Sequence, residues 1–162
     1  MALSTIVKTK HDILTVISDS GAANSFTQQK EPGDFNYDAP RFDLTVIRDN
    51  GELDQTRRGD ESPCTGGYTA NVREMGSATY ATLPDICEWR GYVAANWTST
   101  KSTSSDVETV DVAHTIDGSQ FGETDRTLTF DDAHLKGKYQ AGDPSTYQVS
   151  FQTFNTSVPT LS

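Results

Sequence analysis

Hydrophobic and polar residues alternate with a period of two in six stretches of the chain. These are Asp12 to Ser18, Arg41 to Arg48, Gly66 to Glu74, Val107 to Ile116, Arg126 to Asp132 and Thr146 to Asn155. Such alternation predicts half-buried strands, because successive side chains of a strand point to opposite faces of its sheet. In the last stretch Tyr147, Val149 and Phe151 fall on one face and Gln148, Ser150 and Gln152 on the other. Tyr68, Ala70 and Val72 oppose Thr69, Asn71 and Arg73 in the same way. Asn24 to Gln29 and His134 to Tyr139 show the pattern more faintly and are read as weaker strands. One helix is predicted, over Thr82 to Gly91. Thr82 can cap it, Pro84 is tolerated in its first turn, Ile86 and Trp89 share a face, and Gly91 can end it. Six to eight strands and one short helix predict a mainly β fold: an antiparallel β-sandwich or open barrel with one short flanking helix.

Turn residues separate these stretches. Asp49-Asn50-Gly51, Asp117-Gly118 and Ala141 to Ser145 lie between strands, where a positive φ or the fixed φ of proline is needed. Two longer polar stretches are read as loops. Asp49 to Pro63 is charged and lacks periodicity, and residues 96–106 form a Ser/Thr-rich run expected to be flexible. With 162 residues and no internal repeat, residues 1–162 are expected to form a single domain. A chain of that length buries roughly 70% of the surface its unfolded form exposes, so it needs no metal or disulfide for a core.

Charge and motifs narrow the function classes. The net charge is -10, and residues 103–132 hold eight acids against Arg126 alone, which disfavours gripping of nucleic acid or of an anionic membrane. No stretch is apolar enough for a membrane span or a secretory h-region, so synthesis in a cytoplasm is expected, and the sequons at Asn96 and Asn155 are read as chance. The sequence contains no HExxH, GxSxG or Walker loop. His114 alternates in step with Val110, Val112 and Ile116 and is read as a strand histidine with partial burial. Asp131, Asp132 and His134 lack a further His or Cys at ligand spacing, and are read as solvated residues after a strand. Arg58-Gly59-Asp60 matches the integrin tripeptide but consists of ordinary loop residues. The chain is therefore read as non-enzymatic, with no cofactor and no metal.

The order of elements in Glu31 to Phe151 resembles the tail tube (major tail) proteins of tailed bacteriophages. An early strand, "RFDLTVIRDNG", leads into the charged stretch "ELDQTRRGDESPC", and the chain returns through "TGGYTANV". The later stretches "VETVDVAHTIDG" and "LTFDDAHLKGKYQAGDPSTYQVSFQ" fit the same order. The resemblance implies a virion protein, made in the host cytoplasm, whose homohexameric rings stack into a tube. It also implies contacts with other tail proteins and DNA that transits the lumen without specific binding. It assigns the inter-ring stacking loop to Asp49, Glu52, Asp54, Arg57, Arg58, Asp60 and Glu61. It makes Glu108, Asp111 and Asp117 the candidate lumen-facing acids. Asp111 shares strand parity with Thr115, whereas Glu108 can join that face only if a bulge intervenes near the strand start. The alternative is a β-sandwich of the same class that decorates a capsid, or a tube-like module at a tail tip or in a secretion apparatus, that does not polymerise.

The cysteine count generates a first prediction. Cys64 and Cys87 are the only two, without CxxC spacing, and are read as thiols. Reductant should leave the melting temperature unchanged, whereas a bridge would contribute about 2 to 4 kcal/mol and its reduction would lower the melting temperature by many degrees.

Overall fold

The structure is a computed structural model that describes residues 12–28, 34–39, 41–101, 107–119, 122–154 and 159–162. Ten strands are described: β1 (Asp12–Ser18), β2 (Ser25–Gln28), β3 (Asn36–Asp38), β4 (Arg41–Asp49), β5 (Glu52–Ser62), β6 (Thr65–Asn71), β7 (Val110–Ile116), β8 (Arg126–Gln140), β9 (Thr146–Thr153) and β10 (Thr160–Leu161). Two short helices, α1 (Leu83–Glu88) and α2 (Gly91–Asn96), lie between β6 and β7. Eight strands form one antiparallel sheet in the order β2-β1-β7-β8-β9-β6-β3, with β10 added beside β8, and β4 and β5 form a separate two-stranded sheet. The mainly β, antiparallel class expected from the alternation is the observed one.

The main sheet presents one face to the core. In β9, Tyr147, Val149, Phe151 and Thr153 are buried, while Gln148, Ser150 and Gln152 are exposed. Tyr68 and Ala70 of β6, Val110, Val112 and His114 of β7, and Ile17 of β1 fill the same core. Leu83 and Ile86 of α1, Val93 of α2 and Trp97 complete it. Glycines make room for two of the aromatic rings. A Cβ at Gly66 would lie 2.6 Å from the Phe151 ring, and one at Gly137 would lie 2.1 Å from the ring of Tyr147. Each ring therefore lies over a neighbouring strand where only hydrogen fits.

Strand β8 is longer than either stretch read from the sequence, because a bulge joins the two. Val110 pairs with Ala133 and Val112 with Phe130, so Asp131 and Asp132 together face Asp111. Asp132 has φ +53, outside the range of extended strands. Without the extra residue, the alternation that buries Phe130 would turn Ala133 and Leu135 outward; with it, all three face the core. Asp111 accepts the backbone N–H of Asp132 on Oδ1 at 3.1 Å, which satisfies the group that the bulge removes from the ladder.

The helical segment also differs from the single expected helix. Thr82 caps α1 as expected: its Oγ1 accepts the Asp85 N–H at 3.4 Å and donates to Asp85 Oδ2 at 2.8 Å. The helix ends at Trp89, which takes the left-handed conformation, and Gly91 opens α2 instead of closing α1. Buried Asp85 also accepts from Ser77 N–H and Arg90 Nε, and so ties the approach to α1 to the link between the helices. The Ser/Thr-rich run expected to be flexible is held in its described part. Asn96 ends α2, Trp97 is buried, and Thr109 Oγ1 accepts the Lys101 N–H at 2.9 Å while Thr109 N–H donates to Ser99 Oγ at 3.0 Å. Residues 102–106 of that run, the sequon at Asn155 and His11 lie outside the described residues.

Two turns refine the reading of glycine. Asn50 and Gly51 both have positive φ, 46° and 85°, as a two-residue hairpin turn requires. Gly118 does not; it is needed because a Cβ there would lie 2.1 Å from the Thr124 carbonyl oxygen. His114 is fully buried and stacked on Phe35, with ring centroids 4.0 Å apart. Cys64 and Cys87 are free thiols, and burial pushes Cys87, with help from the Glu88 charge, up to about 12.

The bulge generates a prediction with a definite sign. Burial, then the charges of Asp131 and Asp132, raise the Asp111 carboxyl, while the Asp132 N–H opposes them. A carboxyl raised on folding stabilises the protein below its unfolded pKa of about 3.9, and that contribution is lost as pH rises through the folded value. At pH 7 the ionised group is therefore a cost. Asp111→Asn keeps an acceptor for the bulge, so the variant should melt above the native protein at pH 7 and with it at pH 3. A variant that melts lower at pH 7 would show that the bulge needs the charge.

Candidate functional site: the projecting hairpin and the acidic strand pair

The charged stretch expected to be a loop over Asp49 to Pro63 is for the most part a strand. β5 runs from Glu52 to Ser62 and pairs with β4 around the Asn50-Gly51 turn. The sequence pattern concealed this because β5 has no buried face and contains two irregularities. Gln55 pairs with Ile47 and Leu53 with Arg48, which leaves Asp54 as the extra residue. Near the base, Glu61 pairs with Phe42 and Arg58 with Leu44, so Gly59 and Asp60 together oppose Asp43. Gly59 is required there, since a Cβ would lie 2.9 Å from the Asp43 carbonyl oxygen.

This hairpin continues the β3–β6 ladder beyond the main sheet. Asp38 pairs with Thr65 at the end of that ladder, and the chain enters β4 three residues after Asp38 and leaves β5 three residues before Thr65. Among the described residues, β4 and β5 pack on each other and extensively on no other element. At about 3.4 Å per residue, the nine residues of β4 extend about 30 Å. The root is anchored in the core: Phe35, just ahead of β3, lies against His114, Phe130 and Phe151. Asp34 Oδ2 accepts the Thr69 N–H at 2.7 Å and so occupies the β6 edge beyond β3.

The hairpin is amphipathic, and its apolar side chains are largely exposed. Phe42, Leu44, Val46 and Leu53 are 40%, 64%, 48% and 64% exposed. The alternation in Arg41 to Arg48 was legible, but it marks an uncovered stripe and not a core face. Leu44 pairs with Arg58 and Val46 with Thr56, and the Arg58 guanidinium lies 3.9 Å over the Phe42 ring while reaching Glu61 at 3.4 Å. Arg57 Nε donates to Gln55 Oε1 at 3.3 Å. Of the expected stacking residues, Asp49 and Glu52 flank the tip, Arg57, Arg58, Asp60 and Glu61 lie along β5, and the side chain of Asp54 lies outside the described ones. The apolar residues Phe42, Leu44, Val46 and Leu53 were not among those expected.

The three candidate lumen acids are not one cluster. Asp111 lies on the non-core face of β7, as parity requires, and holds the β8 bulge. Glu108 is exposed ahead of β7, and its carbonyl oxygen lies 3.0 Å from His134 Nδ1. The bulge near the start of this strand pair is in β8, opposite Asp111, and not between Glu108 and Asp111. Asp117 sits past the other end of β7, where its Oδ1 accepts the Ser119 N–H at 2.8 Å. The neighbours of Asp111 are instead Asp131 and Asp132. Among the described residues no group of three or more His, Cys, Asp or Glu is arranged to hold a metal, and no helix is long and apolar enough to cross a membrane.

No family model matches the chain, and no curated protein is significantly similar to it. Its likeness is to solved structures. One is a chain of the PVC sheath-tube complex of an extracellular contractile injection system in the extended state. It has TM-score 0.56 and 11% identity, over 99% of this chain and 94% of that one. Another is a chain of the sheath/tube terminator of such a system, with TM-score 0.50 and 11% identity, over 91% and 92%. At that identity the likeness is one of fold: the arrangement of strands in this chain is one found in contractile injection particles.

Proposed function

We propose that this chain is a structural subunit of a tail tube, in a phage tail or a phage-tail-like injection particle. Six copies form a ring, and rings stack into a hollow conduit. The observation that carries the reading is the β4–β5 hairpin, which projects from the sheet with Leu44, Val46 and Leu53 largely exposed and Phe42 covered in part by Arg58. An isolated two-stranded ribbon is at best marginally stable in water, and an apolar stripe on it marks a contact surface. The fold likeness to chains of sheath-tube assemblies supports the same reading. Glu52, Arg57, Arg58, Asp60 and Glu61 give the stripe a polar border of both signs, suited to contacts with another copy. The partners are further copies of the chain and the other proteins of the tail; the role is neither enzymatic nor membrane-bound.

In a phage the cargo is DNA, which must slide without adhering. Glu108, Asp111 and Asp117 then serve best on the lumen wall, where repulsion from phosphates acts over about 8 Å at physiological salt and recurs in every ring. Glu108 is the most exposed of the three and the least committed to local structure. A second reading rests on the likeness to a sheath/tube terminator: a single ring that closes a tube and does not propagate.

The two readings predict different images of the purified protein. A tube subunit should give, at high concentration or on an initiating complex, tubes roughly a hundred ångströms wide, from rings of six domains of this size. A terminator would give single rings only. Leu44 and Arg58 are paired, so residues 45–57 can be replaced by Asn-Gly without disturbing the root. That variant should keep the circular dichroism and cooperative melting of the native domain and form no tubes. Normal tubes from it would show that the hairpin does not stack rings.

A further inference from the structure

The hairpin leaves the molecule at one end of β6, and an unfilled apolar groove opens at the other. Beyond Asn71, the last residue of β6, the chain runs through Val72, Arg73 and Glu74 along a cavity of about 630 Å³. Buried Leu83, Pro84 and Tyr147 lie at its base, with Phe26 of the edge strand β2 and Val72 also in its wall. On its exposed rim Glu74 accepts a hydrogen bond from the Tyr80 hydroxyl, while Arg73 forms no ion pair among the described residues.

We propose that this groove is the socket for the hairpin tip of a second copy of the chain, with Leu53 on the apolar base and Glu52 and Asp49 against Arg73. The proposal rests on the tube reading and names the surface that the stacking element meets.

Three observations point to a second copy as the occupant. The first is charge: the tip carries Asp49 and Glu52 beside Leu53, and the rim of the groove offers a guanidinium. The second is chemistry: Leu53 is 64% exposed, and Leu83, Pro84, Val72 and Phe26 supply an apolar seat. The third is placement. The root continues the β3–β6 ladder past Thr65, and the groove lies past Asn71, so plug and socket are at opposite ends of the same seven-residue strand. A plug at one end and its socket at the other leave a free plug and a free socket on every head-to-tail pair of copies. They make a heterologous, head-to-tail contact that repeats for as long as copies are added.

The test uses the full chain under conditions where the native protein forms tubes. Glu52→Cys together with Arg73→Cys should give, on mild oxidation of tubes, a ladder of disulfide-linked multimers in non-reducing gels. Either single variant should give none, since Cys64 is buried and Cys87 half-buried. Glu52→Arg and Arg73→Glu should each raise the concentration needed for tube growth several-fold, and the two changes combined should bring it back toward the native value. If the hairpin-shortened variant fails to assemble but the cysteine pair gives no ladder and the charge swap has no effect, the socket is overturned and the stacking role stands. If the shortened variant assembles, or the native protein never does, both fall.

Discussion

The arrangement of this protein depends on one irregular residue in its longest strand. β8 pairs with β7, β9 and β10, so its phase decides which side chains of half the sheet face inward. A regular strand of fifteen residues would bury Phe130 and then expose Ala133 and Leu135. The bulge at Asp132 restores the inward set at the cost of a left-handed residue and one N–H withdrawn from the ladder, and the Asp111 carboxylate accepts that N–H. Phe130 and Leu135 can then share one core with Phe151, Tyr68 and Val112. Phe35 lies on this aromatic floor, and through Phe35 the root of the hairpin is held. The root of the projecting element thus rests on a core whose phase is set at the bulge between β7 and β8.

The legible part of the fold was the part with one wet and one dry face. Tyr147, Val149 and Phe151 alternate cleanly because β9 has core on one side and solvent on the other. β8 was read as two pieces because its alternation breaks at Asp131-Asp132; the break was real, but it marked a bulge and not a strand end. β3 is marked only faintly: three residues, with Tyr37 the only large apolar side chain, carry little periodicity. β5 was read as a loop for a different reason. Period two in a sequence records selection between inside and outside, and a strand wet on both faces records none. The Asn50-Gly51 turn was the sequence's one sign that another strand must follow Asp49.

The exposed element was legible in position but not in its surface chemistry. The stretch expected to stack does form the exposed element, yet its charges were taken as its working parts. In the folded chain several of those charges are occupied locally: Arg58 lies on Phe42 and reaches Glu61, and Arg57 takes Gln55. The uncovered groups are Leu44, Val46 and Leu53. Alternation alone could not reveal this, because an apolar stripe facing the core and one facing a partner have the same period. The acids were grouped by position in the chain, whereas the ladder places Asp111 beside Asp131 and Asp132 and leaves Asp117 at the other end of β7.

An exposed apolar ribbon on a chain of charge -10 is a compromise between solubility and assembly, and magnitudes show how the two can coexist. Covering the exposed halves of four large apolar side chains is worth about 3 to 6 kcal/mol, taking roughly 1.5 to 3 kcal/mol for each fully buried residue. Bringing two proteins together costs about 4 to 15 kcal/mol in lost translational and rotational freedom. A single hairpin contact therefore leaves two copies mostly apart, and the net charge keeps them soluble. In a ring the freedom is lost once while the contact is made at every subunit, so the second and later contacts add with little further entropic cost. On the tube reading, growth on an existing ring is favourable where nucleation from free subunits is not. On that reading the same asymmetry would keep free subunits apart and confine polymerisation to places where a first ring is already arranged.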